Sequence, residues 1–318
     1  MTFTQLASHR LDDVTRDLLG KEIAERVCAS ELEPDPHEAI LAGIGAAALR
    51  RYLPGEILHA LDVFPATAYH ALLLRNLPVQ EYPPTPVTGF GDEATLAGTN
   101  ALHFGLIQLL GLTPFAVDYE NGGRLIRNVV PNPGAAGTTS SWGADAEFFW
   151  HTDNPHLPFG EPGGDPRLAI PRYLTFFGVR NDERVPTDVA ALEDALRLLD
   201  DEALLHLHDT AYDVGAPASV AADAPGADRT LAGTAVLERV ADGSRVRFDQ
   251  GTTRARTDEA ARALESWTRA LSGIPREELV LRPGDFLIFD NYRVLHRRRG
   301  FTPAPADTAR WLRRCYAS

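Results

Sequence analysis

Lysine is almost absent from this chain: Lys21 is the one lysine among 318 residues, and every other basic residue is an arginine. Cysteine is nearly as scarce. Cys28 and Cys315 stand near opposite ends, which excludes a disulfide framework and a thiolate metal site. Positive charge is in deficit overall, with a formal net charge of −13 and no long basic cluster. Such a surface repels phosphate backbones and argues against a nucleic-acid partner. No stretch approaches the roughly 20 apolar residues that span a bilayer, which argues against a membrane protein. Residues 1–13 carry Arg10, Asp12 and Asp13 and lack the apolar centre of a secretory signal. Together these absences point to a soluble protein of a reducing, cytoplasmic setting.

With 44% hydrophobic residues the chain is long enough for one large domain, taken here as residues 1–318. Residues 1–68 read as mainly helical, with apolar positions at helical spacing through Leu11–Val27 and Ala39–Tyr52 before Pro54-Gly55 interrupts. From Tyr69 the texture changes to short apolar runs: Ala71–Leu74, Arg124–Ile126, Glu147–Trp150 and Tyr173–Phe177. Loops rich in Gly, Pro, Asn and Ser separate several of them, so residues 69–318 are expected to form a sandwich or jelly roll. Two helices are expected inside that region. One starts at Thr187-Asp188 and carries Val189, Leu192, Leu196 and Leu199; the other starts near Thr257-Asp258 and carries Leu264, Trp267, Leu271 and Ile274. Residues 215–229, rich in Ala, Pro and Gly, read as a lid or as a surface insertion. The chain closes with short runs at Leu279–Leu281 and Phe286–Phe289 and a final strand around Trp311–Tyr316.

The sharpest local feature is Phe148-Phe149-Trp150-His151-Thr152-Asp153. In an extended chain residues i and i+2 point to one side, so His151 and Asp153 can bind one ion. An imidazole and a carboxylate suit iron(II), and a third ligand would complete a facial triad with open positions. A second feature runs from Gly284-Asp285-Phe286-Leu287-Ile288-Phe289-Asp290-Asn291 to His296, a buried strand leading to a histidine. Fourteen positions later comes Arg310, an arginine able to grip a dicarboxylate through a bidentate pair.

With the segment Arg180–Thr187, these pieces resemble the clavaminate synthase-like branch of the iron(II)/2-oxoglutarate oxygenases, which includes free-amino-acid hydroxylases acting on arginine and asparagine. The resemblance runs from about Phe115 to Tyr316. It implies a mainly β fold with flanking helices around a double-stranded β-helix (jelly-roll) core. It implies iron held by His151, Asp153 and His296, with 2-oxoglutarate and O2 as co-substrates. Arg310 matches the arginine that binds the distal carboxylate of 2-oxoglutarate, with Arg314 as a rival, and Thr187 matches a threonine contacting the same molecule. Thr187 also stands where a helix N-cap would be. Many of the nearest relatives carry Glu where Asp153 stands. For the substrate, Glu120 or Asn121 falls where a polar residue binds the amino-acid backbone, and Asp249 matches an acidic site. The single acid Asp249, followed by Gln250 and Gly251, weakens the case for a guanidinium substrate. The loop Thr138-Thr139-Ser140-Ser141 is placed at the pocket, with Ser141 as its candidate contact. The implied partner is a small-molecule amino acid or derivative, and the implied setting is specialised metabolism.

The implied reaction couples decarboxylation of 2-oxoglutarate to hydroxylation of an unactivated C–H bond, giving succinate and CO2. No separate acid or base is needed beyond the bound metal. Asp153 argues against halogenation, where that carboxylate is usually replaced. Desaturation or ring formation is the nearest alternative; a non-catalytic metal-binding jelly roll or a zinc hydrolase is the alternative of another class. Gly43-Ile44-Gly45-Ala46-Ala47-Ala48 superficially matches a dinucleotide-binding turn, but it lacks a preceding strand and sits in a helical pattern. His206 and His208 have no later partner and read as core or surface residues. His156 reads as packing or as support behind the metal site.

Overall fold

A computed structural model describes residues 2–28, 31–138, 141–217, 229–241 and 243–318. In chain order the described strands are β1 (Leu6–Arg10), β2 (Ala71–Arg75), β3 (Pro114–Phe115), β4 (Arg127–Val129), β5 (Phe148–His151), β6 (Tyr173–Arg180), β7 (Thr187–Ala191) and β8 (Tyr212–Gly215). They continue with β9 (Thr230–Thr234), β10 (Leu237–Val240), β11 (Gly243–Val246), β12 (Thr253–Ala255), β13 (Glu277–Leu279), β14 (Phe286–Asp290), β15 (Val294–Arg298) and β16 (Trp311–Ala317). The large sheet runs β1-β2-β14-β6-β16-β3, with β4 also pairing β16. A four-stranded sheet runs β13-β7-β15-β5, and a three-stranded sheet runs β12-β8-β9 beside the hairpin β10-β11.

The near-continuous apolar runs of β2, β6 and β14 follow from coverage of both their faces. One face of the large sheet contributes Leu73, Phe176, Leu287, Phe289 and Leu312, which pack against Val189 and Val294 of the four-stranded sheet. The opposite face contributes Leu72, Leu74, Phe177, Phe286 and Ile288. These lie under helices α1 (Asp13–Val27), α2 (Pro34–Tyr52), α3 (Gly55–Val63) and α4 (Ala97–Leu109). On the far side, Ala190 and Leu295 of the smaller sheet meet α5 (Leu192–Leu196), α6 (Asp201–Leu207) and α7 (Asp258–Ser272). The molecule is mostly sheet with helices on both outer sides.

Gly45 belongs to α2 and not to a nucleotide-binding turn. A Cβ built on it would lie 1.7 Å from Ala101 O, and one on Gly105 would lie 2.5 Å from Gly45 C. The two glycines let α2 and α4 cross with backbones in contact.

Several expectations need correction. Thr187–Ala191 is a strand, because it pairs on both sides, with β13 and β15, and is buried throughout. Its helix begins only at Leu192 and ends at Leu196, so Thr187 is not an N-cap. The run Arg124–Ile126 precedes its strand, which is Arg127–Val129. Helix α4, which was not anticipated, joins the layer of the first three helices, and β1 within the mainly helical segment pairs β2 in the large sheet. Of the expected lid, residues 218–228 lie outside the described residues. The helix after Thr257 is as expected, capped by the Thr257 side chain accepting from Ala260 N.

Candidate metal centre and the buried arginines beside it

Strand β5 ends at His151 and pairs with β15 so that His151 and His296 stand directly opposite one another. Directly opposed residues on neighbouring strands hold their side chains about 5 Å apart. Here the imidazole centroids are 4.1 Å apart. Asp153, two residues past His151, places Oδ1 3.4 Å from the Nε2 of both histidines. Donors about 2.1 Å from one metal and at right angles to each other lie roughly 3 Å apart, so this spacing suits a shared cation. The three side chains are buried, and their ligand atoms lie within 4.8 Å of one another.

The surroundings prepare the donors. His151 Nδ1 is 2.7 Å from Phe149 O, so that nitrogen carries the ring proton and Nε2 is left as a lone pair. Among the described residues that Nε2 has no hydrogen-bond partner. Phe148 stacks on the His151 ring at 3.7 Å between centroids. Burial, with the neighbouring His151, holds His296 down to about 4, so it is neutral at pH 7 as a ligand must be. Burial alone would raise the Asp153 carboxyl, but the Arg314 guanidinium and the two imidazoles hold it well below the usual carboxylate range. The Asn291 side chain accepts from Asp153 N at 2.9 Å and donates to Asp153 O and Pro171 O. That amide fixes the ligand loop, and it accounts for Asn291 immediately after β14.

Strand β16 supplies the other half of the site. Alternation sends Leu312 and Tyr316 between the two sheets, while Cys315 and Ala317 turn toward the helices. Arg310, Leu312 and Arg314 therefore share a pocket with His151, Asp153, His296, Thr187, Ser141 and Phe176. Arg310 is buried, its Nη2 is 3.4 Å from Thr187 Oγ1, and among the described residues its Nε has no partner. Burial and the nearby Arg298 push this guanidinium down to about 9. A cation held with so little compensation is built to receive an anion. The expected segment Arg180–Thr187 supports it: Glu183 Oε1 accepts from Arg310 N at 3.0 Å.

Arg314 does not compete for that place. Its Nη1 lies 2.6 Å from Asp153 Oδ2 and its Nη2 bonds Glu120. Glu120 is 4% exposed and also accepts from Tyr316 OH at 3.0 and 3.1 Å and from Asn154 Nδ2 at 3.0 Å. Burial pushes Glu120 up, while Arg314 and Arg127 outweigh it and leave the carboxyl below its ordinary value. Sequence reasoning did not single out Tyr316, and it weighed Arg314 as a rival for the role given to Arg310; the even spacing of Arg310, Leu312 and Arg314 was the signal that they line one pocket.

The remaining substrate candidates separate. Ser141 lines the pocket and its Oγ accepts from Arg127 Nε at 3.0 Å; Thr139 and Ser140 lie outside the described residues. Asn121 turns its amide to Arg124 O and Ile126 O and braces its own loop. Asp249 is buried beside His151 through a backbone bridge, and its Oδ1 accepts from Gly251 N and Thr252 N. It closes a turn rather than standing as a solvated charge. His206 pairs with Asp209 on α6, and His208 caps that helix, both away from the metal group.

Known proteins resemble this chain in sequence and fold. Residues 191–316 match the family described as taurine catabolism dioxygenase TauD, TfdA family. Clavaminate synthase 2 of Streptomyces clavuligerus is 30% identical over 311 residues, covering 91% of this chain and 87% of that protein. L-asparagine oxygenase of Streptomyces coelicolor is 30% identical over 323 residues, covering 96% and 89%. Among solved structures, an asparagine oxygenase in complex with Fe(II), 3-hydroxyasparagine and succinate superposes with a TM-score of 0.81 at 25% identity, covering 97% of this chain and 92% of that one. The iron oxygenase OrfP in complex with Fe and alpha-ketoglutaric acid shares the fold, with a TM-score of 0.78 at 23% identity and coverage of 97% and 93%. The chain belongs to the TauD, TfdA dioxygenase family, in the branch that includes clavaminate synthase and asparagine oxygenase.

Proposed function

We propose that the protein is an iron(II)/2-oxoglutarate-dependent dioxygenase that hydroxylates an unactivated C–H bond of a free L-amino acid. One observation carries this: three converging buried donors, His151, Asp153 and His296, share a pocket with the undercompensated guanidinium of Arg310. A two-histidine, one-carboxylate set is the ligand set of non-haem iron(II) oxygenases. Arg310 and Thr187 hold the far carboxylate of 2-oxoglutarate, and His151, Asp153 and His296 hold the metal. The bound iron and 2-oxoglutarate supply the oxidising power, consuming O2 and releasing succinate and CO2 as one oxygen enters the substrate.

The substrate's charged ends are met by the ion pair behind the metal. Glu120 and Arg314 offer one carboxylate and one guanidinium in contact, complementary to an α-ammonium and an α-carboxylate. An incoming zwitterion replaces the Glu120–Arg314 pair with two new ones while Arg314 keeps Asp153, so neither charge is left uncompensated. The relatives give this reading its class, since they include oxygenases of asparagine and of lysine. The two facing sheets form the double-stranded β-helix core of a single domain over residues 1–318.

The test is a mass-spectrometric assay of the purified protein with iron(II), 2-oxoglutarate, O2 and a panel of free L-amino acids. Succinate formed together with one added oxygen on an amino acid supports the reading. Loss of two hydrogens instead would make the protein a desaturase. Absence of succinate under every condition would sink the oxygenase assignment and favour a zinc hydrolase.

A further inference from the structure

Beside Glu120 lies a polar cluster that neither the metal nor the ion pair uses. The Tyr119 hydroxyl is 2.8 Å from His156 Nε2. The Arg229 guanidinium carbon sits 3.6 Å from the centroid of the Tyr119 ring. Both Tyr119 and Arg229 are half-buried, whereas His156 is only 6% exposed. Among the described residues, His156 Nδ1 and Arg229 Nε are buried without a hydrogen-bond partner. Orphaned buried polar atoms are rare, and two on segments joined through Tyr119 point to a missing ligand.

The chemistry of the missing group follows from the charges. Burial holds His156 down to about 4, against the pull of Glu120, so the imidazole is neutral at pH 7. Burial also pushes the Tyr119 phenol up to about 12, so it keeps its proton. With the phenol donating to Nε2, Nδ1 carries the ring proton and becomes a second donor beside Arg229 Nε–H. The cluster thus holds one fixed positive charge and two unsatisfied donors. The acid that acts on His156, Glu120, is the group assigned to the substrate's α-ammonium and so does not also serve a cationic side chain. A guanidinium or ammonium side chain would therefore meet a like charge, and an aliphatic one would leave both donors unsatisfied.

We propose that Tyr119, His156 and Arg229 form the side-chain subsite, and that the substrate class is α-amino acids whose side chain ends in a carboxylate or carboxamide. This rests on the amino-acid reading of the site given above. The subsite sits next to Glu120, the group that takes the α-ammonium, and it is within reach of solvent at Tyr119 and Arg229.

The experiment titrates the anaerobic iron(II)·2-oxoglutarate holoenzyme with L-Asp, L-Asn, L-Glu, L-Gln, L-Arg, L-Lys and L-Leu. Binding is read from the change in the charge-transfer absorption, and turnover from succinate. An acceptor-ended amino acid should bind at least tenfold more tightly than L-Arg, L-Lys or L-Leu, and the aspartate and asparagine arms decide between carboxylate and carboxamide. Arg229→Glu should raise KM for that substrate at least tenfold with a smaller change in kcat, and Arg229→Lys should restore part of it. Melting curves and iron content check that the variants fold. If L-Arg, L-Lys or L-Leu binds best, or if Arg229→Glu and His156→Phe leave the ranking unchanged, the subsite is overturned while the amino-acid reading stands. If no amino acid perturbs the absorption or raises succinate, both fall together.

Discussion

Arg314 spans two carboxylates: Nη1 is 2.6 Å from Asp153 Oδ2, and Nη2 bonds Glu120. One guanidinium thus connects Asp153 to a second buried carboxylate, and Tyr316 OH touches both, at 3.2 Å from Asp153 and 3.0 Å from Glu120. Glu120→Gln removes the charge that the substrate's ammonium would meet while keeping the shape. A charge-assisted hydrogen bond contributes about 1.5–3 kcal/mol, so KM for the amino acid should rise roughly 10- to 100-fold. Iron content and the 2-oxoglutarate complex should be unchanged by absorption spectroscopy. Equal losses of iron and of substrate affinity would mean that Glu120 acts only by holding Arg314.

The metal group makes its own prediction. Asp153→Ala leaves two imidazoles and no carboxylate, and it leaves Arg314 facing a gap. Iron should no longer bind at stoichiometric levels after gel filtration. In the native protein, adding iron(II) at a hundredfold excess over its dissociation constant should stabilise the fold by about 2.7 kcal/mol, visible as a higher melting temperature. A variant that keeps both the iron and the thermal shift would remove Asp153 from the ligand set.

Arg310 should separate co-substrate from substrate. Arg310→Ala should raise KM for 2-oxoglutarate about 100-fold, the size expected for a bidentate carboxylate pair, and leave binding of iron within twofold. Arg310→Lys keeps the charge but loses the fork and should fall between. The readout is the dependence of succinate formation on 2-oxoglutarate; an unchanged KM in the alanine variant would transfer the role to Arg298, which lines the same pocket.

Acid stability turns on a histidine far from the metal. His103 is fully buried in α4, and its Nε2 is 2.8 Å from Thr175 Oγ1, whose own proton goes to Cys315 O. Nε2 therefore donates, and burial followed by the charge of Arg313 holds the imidazole down to about 3. The unfolded chain takes up a proton near pH 6.5 and the folded one does not until about 3. Stability is thus intact above 6.5 and falls progressively as pH drops from there toward 3. At pH 5 the loss from this one group is on the order of 2 kcal/mol. Urea denaturation of native protein and His103→Gln at pH 7 and pH 5 should show a smaller pH penalty in the variant. Equal penalties would assign the acid loss to other groups.

The contact between Gly45 and Gly105 predicts a large effect from a small change. Gly45→Ala places a methyl group 1.7 Å from the Ala101 carbonyl, a distance no packed atom tolerates. The helices must part, at a cost of about 3 kcal/mol. A melting temperature within a degree of native would show that α2 slides easily over α4.

The sequence was most legible where periodicity and chemistry coincided. His151-Thr152-Asp153 and the run from Phe286 to His296 each combine an apolar strand with ligand types at its end, so the metal group could be read directly. Arg310 was legible only through resemblance, since nothing local distinguishes it from Arg313 or Arg314. Thr187–Ala191 was misread because Asp188 and the leucines at 192, 196 and 199 mimic a capped amphipathic helix. Pairing with β13 and β15 overrides that local preference, and the buried Asp188 is neutralised by Arg297 and Arg299 from distant sequence. Helix α4 was missed because both its faces are buried, which erases the amphipathic stripe that reveals a surface helix. Tyr119 and His156 carry no motif; only their placement beside Glu120 gives them meaning.

The opposed pair His151 and His296 also dictates an order of assembly. Nearly half the chain lies between them, and it includes strands of both sheets, so the second histidine cannot arrive until β6, β7, β14 and β15 have paired. A nascent or half-folded copy offers only His151 and Asp153, two donors where three are needed for retention. Closing so long a span is entropically slow. A three-ligand grip on iron therefore reports that β5 and β15 have met, and the metal serves as a marker of the closed fold.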